Sequence, residues 1–181
     1  RQLKFIAGNL EKKIKAELAK LMEQDREKYE KFYTAFGMQI KYGVLNDYGA
    51  KKELLQDLLL YWSHKQNKLV SFKEYVDAMP EEQKYIYFAS GENRQRLSQL
   101  PQLEKLGEKG FDVLLMTDEV DSFVPQTLGK YAEKDFRSVT QEDLGLSTDE
   151  EKKEAAEQAE KSKATLEFVK TTLGDDVKEV R

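Results

Sequence analysis

Two short apolar runs constrain this chain more than anything else in it: Lys84-Tyr85-Ile86-Tyr87-Phe88-Ala89 and Phe111-Asp112-Val113-Leu114-Leu115-Met116. Both are apolar at odd and even positions alike, the pattern of a strand buried on both faces. Between them Ser90-Gly91-Glu92 breaks the first run, and Asn93 to Leu106 spaces Leu97, Leu100, Leu103 and Leu106 at helical steps. Gly110 then restarts the chain into the second run. Two doubly buried strands joined by a helical crossover are predicted to lie parallel and adjacent in a covered sheet. The fold class is therefore α/β.

Amphipathic helices precede this core. Leu3, Ala7, Leu10, Ile14, Leu18 and Leu21 recur at three- and four-residue steps and predict a helix over 3–22. Its lysines, Lys4, Lys12, Lys13, Lys15 and Lys20, fall on other faces and read as a solvated surface. A second helix starts at Asp25, with Tyr29, Phe32, Tyr33, Phe36 and Ile40 on one side as core, and a third runs from Lys51 to about Tyr61. Together these predict a small helical coil. From Leu60 to Phe72 strand and loop mix, and Ser71-Phe72-Lys73-Glu74 is a capping box opening a short helix that ends at Met79-Pro80. After the second run, a helix is expected over 119–134 with Val120, Val124, Leu128 and Tyr131 inward. Ser122, Phe123 and Gln126 fall on its outer flank, and Pro125 starts or bends it near Asp121. Phe136 to Thr140 is a weak further strand. Thr148-Asp149-Glu150-Glu151 opens a last helix, carried by Ala155, Ala159, Ser162, Leu166, Val169 and Leu173 and capped by Gly174.

Charge and composition exclude several functions. A net charge of -4 argues against a nucleic-acid partner, which calls for a basic surface. There is no cysteine, hence no disulfide frame or thiolate metal site, as suits a reducing cytoplasm. No apolar run is long enough to cross a bilayer. The chain opens mid-pattern at Arg1 and closes on what reads as a first strand, Asp175 to Arg181, so it is expected to be a segment of something longer. His64, the single histidine, has no partner for a zinc site or a catalytic triad. The one rim with chemical potential lies beyond the strand ends: Ser90, Gly91 and Glu92 after one strand, Thr117, Asp118, Glu119 and Asp121 after the other. These could bind a metal or a hydroxyl; the plainer reading makes them helix caps. Neither a dinucleotide fingerprint nor a phosphate loop is present.

The order of short words along the chain is more specific. Phe32-Tyr33, Phe36, Ile40-Lys41 and Gly43 come first; Ser71, Tyr75, Met79, Gln83-Lys84, Ile86-Tyr87-Phe88 and Gly91-Glu92 follow. Pro101, Leu103-Glu104, Leu106, Gly110, Val113-Leu114, Asp118, Val120 and Asp121 complete the series. Together they resemble the middle domain of the heat shock protein 90 chaperone family, and most of all its bacterial branch. The resemblance implies a three-layer α/β/α subdomain with a small, mostly parallel sheet over 60–144. A helical coil ending the larger middle subdomain precedes it over 1–59. A connector helix and the first strand of a C-terminal dimerisation domain follow over 145–181.

It further implies a part of a cytoplasmic, homodimeric, ATP-dependent stress chaperone. ATP and magnesium are held by an N-terminal domain outside this chain, and the arginine that reaches the γ-phosphate lies upstream of Arg1. This segment itself carries no catalytic, cofactor or metal residue. The implied partners are unfolded client proteins, the parent's own N- and C-terminal domains and the 70-kilodalton heat shock system, with no nucleic acid and no membrane. Bacterial members hold clients partly through an Ile-Asp-Glu-aromatic motif after the second strand. Here it reads Val120-Asp121-Ser122-Phe123, so Phe123 inherits the client contact with Gln126 one turn on, while Ser122 and Pro125 depart from the pattern. Two alternatives stand beside this: a small-ligand or metal-binding enzyme domain using Glu92 and Asp118, and a structural adaptor built on Leu166, Val169 and Leu173.

Overall fold

The computed structural model describes residues 2–141 and 144–146, with side chains from residue 6 onward. The chain divides after Glu142 into two units, and every element below lies in the first. The expected connector helix, its seam and the closing strand lie outside the described residues.

Helix α1 (Gln2–Gln24) and helix α2 (Arg26–Leu45) meet at Asp25, whose side chain caps α2 by accepting from the Lys28 amide at 3.1 Å. Along α2, Tyr29, Tyr33, Gly37, Ile40, Lys41 and Val44 are buried at three- and four-residue steps. Phe36, expected in the core, is 52% exposed, because it sits beside that stripe rather than on it. Among the described side chains of α1, Leu18, Leu21 and Met22 pack on the core, while Ile6, Leu10 and Ile14 stand exposed.

The third helix is shorter than its leucines suggest. Helix α3 (Lys52–Leu55) tightens into a 3-10 turn at Gln56–Leu58, and Leu60 already begins strand β1 (Leu60–Ser63). β1 turns back into β2 (Lys68–Ser71) as an antiparallel hairpin. The capping box forms: the Glu74 amide donates to Ser71 Oγ at 3.2 Å and the Ser71 amide donates to Glu74 Oε2 at 2.7 Å, opening α4 (Phe72–Asp77).

Strand β3 (Tyr85–Ser90) and strand β4 (Leu114–Met116) are parallel neighbours, with Phe88 opposite Leu114 and Ser90 opposite Met116. The crossover is two short helices rather than one, α5 (Arg94–Leu97) and α6 (Pro101–Glu108). Pro101 explains the break, since Leu100 before it is extended and the ring suits a helix's first turn. A 3-10 turn (Glu119–Ser122) leads into α7 (Val124–Leu128), which replaces the longer helix expected there. Gly129, at φ 72°, ends α7 in a conformation that costs other residues dearly, and the chain becomes the hairpin β5 (Lys130–Tyr131) and β6 (Lys134–Ser138).

Among the described residues six strands run in the order β2-β1-β4-β3-β6-β5. β4, β3 and β6 are parallel at the centre, and antiparallel pairs flank them on both sides. This is a mixed α/β sheet. Ile86, Leu114 and Met116 join one core with α2, α4 and α7. Tyr87, Leu97, Leu103, Leu106 and Phe111 are buried outside that core, and alternation along β3 sets Tyr87 on the opposite face from Ile86.

Candidate functional site

The carboxyl ends of β3 and β4 open onto the segment 117–128, and this is where a covered α/β sheet offers a binding edge. Val120, Asp121, Val124, Pro125 and Leu128 of that segment are buried. Ser122, Phe123 and Gln126 point outward, and the Phe123 ring is 57% exposed. The outer flank expected from helical stepping is therefore the exposed flank, although the helix is only one turn long. The Phe123 amide donates to the Val120 carbonyl at 3.1 Å, and its own carbonyl accepts from the Thr127 amide at 2.9 Å. The backbone at Phe123 is hydrogen-bonded through both its amide and its carbonyl, while its side chain is more than half exposed. Pro125 sits near the start of α7, where its missing N–H goes unneeded. Ser122 lines two shallow clefts: one of about 320 Å³ with Gln126, Phe88 and Phe136, the other of about 310 Å³ with Ser90, Glu92, Thr117 and Asp118.

Beneath this surface lies a buried charge cluster. Lys41 of α2 is 5% exposed at its side chain, yet its Nζ stands 2.7 Å from Asp118 Oδ2 and 2.6 Å from Asp121 Oδ1. The other Asp121 oxygen accepts from the Asp118 amide at 3.0 Å. Nζ also lies 4.7 Å from the centre of the Tyr61 ring. Burial pushes the Asp121 carboxyl above the ordinary aspartate value, and the nearby Lys41 charge opposes that rise without cancelling it. The Tyr33 and Tyr61 hydroxyls, both buried beside the cluster, close no hydrogen bond of good geometry. Burial lifts both phenols above their ordinary value, and the Asp121 charge adds to the rise.

These contacts decide what the acidic rim can do. Asp118 is committed to a lysine, and Glu92 is exposed on a separate loop. Among the described residues, no group of three or more His, Asp or Glu could hold a metal ion. Nor is any helix among them long and apolar enough to cross a membrane. A further apolar groove of about 390 Å³ lies between α1, α2 and α3, walled by Ile14, Leu18, Phe36, Ile40, Leu54 and Leu55.

Lys41 enters the sequence analysis only as one residue of the family resemblance, with no site role assigned, though a signal for one was present. Tyr33, Gly37 and Lys41 are four residues apart, so the lysine rides the buried stripe of α2. A lysine there needs an acidic partner.

The site is thus a mixed α/β scaffold whose segment 117–128 presents an exposed aromatic over a buried lysine–aspartate cluster. Comparison with known proteins gives the family. The family model described as "Hsp90 protein" matches residues 1–181, and the chain belongs to the Hsp90 family. It is 51% identical over 181 residues to the chaperone protein HtpG of Bacillus subtilis, covering 100% of this chain and 29% of that protein. It is 49% identical to the HtpG of Clostridium acetobutylicum over the same shares. The chain thus spans about 29% of the length of these relatives. Among solved structures, the middle domain of a Plasmodium falciparum heat shock protein aligns with a TM-score of 0.70 and 30% identity, over 77% of this chain and 58% of that one.

Proposed function

We propose that this chain is the middle-domain segment of an ATP-dependent chaperone and that it holds partly folded client chains at Phe123, flanked by Gln126 and Ser122. The observation that carries this reading is the contrast within one segment: Val120, Asp121, Val124 and Leu128 are buried while the Phe123 ring between them is 57% exposed. An aromatic held outward on a fixed backbone loses solubility and gains a contact surface. Polar Ser122 and Gln126 beside it give a rim that can hydrogen-bond a client backbone.

Three regions divide the work in this reading. The helical part over 1–59 receives motion from an N-terminal ATPase domain, which holds ATP and magnesium and lies outside this chain. The α/β part over 60–144 presents the client surface. The part over 145–181 connects to a C-terminal domain that makes the parent a homodimer. The parent works in the cytoplasm alongside the 70-kilodalton heat shock system, and this segment turns over no nucleotide by itself. The similarity to HtpG chaperones over the full chain supports this placement.

The test is binding of reduced, carboxymethylated α-lactalbumin, a permanently unfolded chain, followed by fluorescence anisotropy. Loss of an aromatic anchor costs more than about 1 kcal/mol, so Phe123→Ala should weaken binding roughly fivefold or more. Unchanged affinity would refute the assignment. Saturable, tight binding of magnesium-ATP in calorimetry would instead favour a ligand site at Glu92 and Asp118.

A further inference from the structure

The segment carrying Phe123 is gripped at both ends by lysines from the helical part of the fold. At its start, Lys41 of α2 reaches Asp118 and Asp121 at 2.7 and 2.6 Å. At its finish, Lys52 of α3 donates from Nζ to the Thr127 and Leu128 carbonyls at 3.1 and 3.2 Å, the last acceptors of α7. Between these grips the loop before α3 comes close as well. A Cβ on Gly49, which sits at φ 82°, would lie 2.7 Å from the Thr127 methyl.

We propose that Lys41 and Lys52 are positioning residues that make the placement of Phe123 follow α2 and α3. The proposal rests on Phe123 being the client contact. Its physical ground is the stiffness of α2 and the cost of separating buried charge. α2 is a continuous helix of 20 residues. At its other end Arg26 grips Glu74 with two guanidinium nitrogens, each at 3.0 Å. Arg26 and Lys41 are fifteen residues apart, about 22 Å along the helix at 1.5 Å per residue. One rod thus links the α4 end of the sheet to the segment behind Phe123. Lys41 and Asp121 cannot part without leaving a charge buried alone, so a shift of α2 carries Asp121 along. Phe123, two residues on and bonded back to Val120, moves with it.

The experiment places a fluorine label on the Phe123 ring in the full 181-residue chain, with labelled Phe111, buried against Tyr87 outside the core that holds Tyr61, as a control. Lys52→Met removes one grip at a half-buried position, and Lys41→Met/Asp121→Asn removes the other, leaving only the part-exposed Asp118 carboxylate without its lysine. Each should shift or broaden the Phe123 resonance, leave Phe111 in place, and weaken binding of the unfolded α-lactalbumin probe about threefold or more. Lys52→Arg, which keeps the charge, should restore the resonance. An unmoved Phe123 resonance in both variants overturns the tether, whatever the binding does. A resonance that moves while affinity holds keeps the tether and refutes the client contact instead.

Discussion

Removing Lys41 by Lys41→Met should be among the most damaging single changes in the α/β unit. Its partner Asp121 is 1% exposed at the side chain, and Lys41 itself is 5% exposed. Breaking a buried ion pair from one side costs about 3–5 kcal/mol. Here the lower part of that range applies, because the Asp118 carboxylate is 42% exposed and can rehydrate. Asp121 also keeps its bond from the Asp118 amide. A loss of about 3 kcal/mol in a unit of this size lowers Tm by roughly 6–12 °C. Lys41→Met/Asp121→Asn should recover much of that loss. An amide oxygen at 121 still accepts from the Asp118 amide, and no bare charge remains buried, so the double variant should sit about 1–2 kcal/mol below the parent. The assay is urea unfolding followed by circular dichroism at pH 7, arranged as a double-mutant cycle. A Lys41→Met loss within about 0.5 kcal/mol of zero, or a double variant as weak as the two single losses summed, would refute the reasoning.

Other expected outcomes rest on separate contacts. Gly49→Ala forces a side chain into left-handed backbone and against Thr127, and should cost about 1–3 kcal/mol in urea unfolding. Ser71→Ala removes half of the capping box of α4 and should cost about 0.5–2 kcal/mol with no change in client binding. The Asp121 carboxyl should titrate above the ordinary aspartate value when followed by carbon NMR. A raised folded value means the folded state holds the proton longer, so the stability this group contributes is present in acid and lost as pH rises through its folded value. Asp121→Asn should therefore gain on the parent as pH rises across that window, and a constant difference would contradict the raised value.

How much was legible depended on whether a pattern was local. The parallel pair β3 and β4 followed from two runs buried on both faces, and the Ser71 box from four adjacent residues. The outward flank of Ser122, Phe123 and Gln126 was also readable, since one helical turn suffices to set three directions. Element lengths were not, because tertiary packing and single residues decide them. Pro101 splits the crossover helix, Gly129 cuts α7 short, and Leu60 enters the sheet although its leucine neighbours suit a helix equally well. The exposure of Ile6, Leu10, Ile14 and Phe36 was likewise beyond reach, because periodicity tells which face is apolar and not what covers it. The Lys41 cluster joins residues 77 and 80 positions apart, a distance at which a single sequence names no partner.

Titrating unfolded α-lactalbumin into the isotope-labelled chain and mapping amide and aromatic shifts tests the account at its centre. The largest changes should gather at Ser122, Phe123 and Gln126 and fade toward the far face of the sheet. Changes centred instead on the Ile14 and Phe36 groove, with the Phe123 signals unmoved, would contradict it.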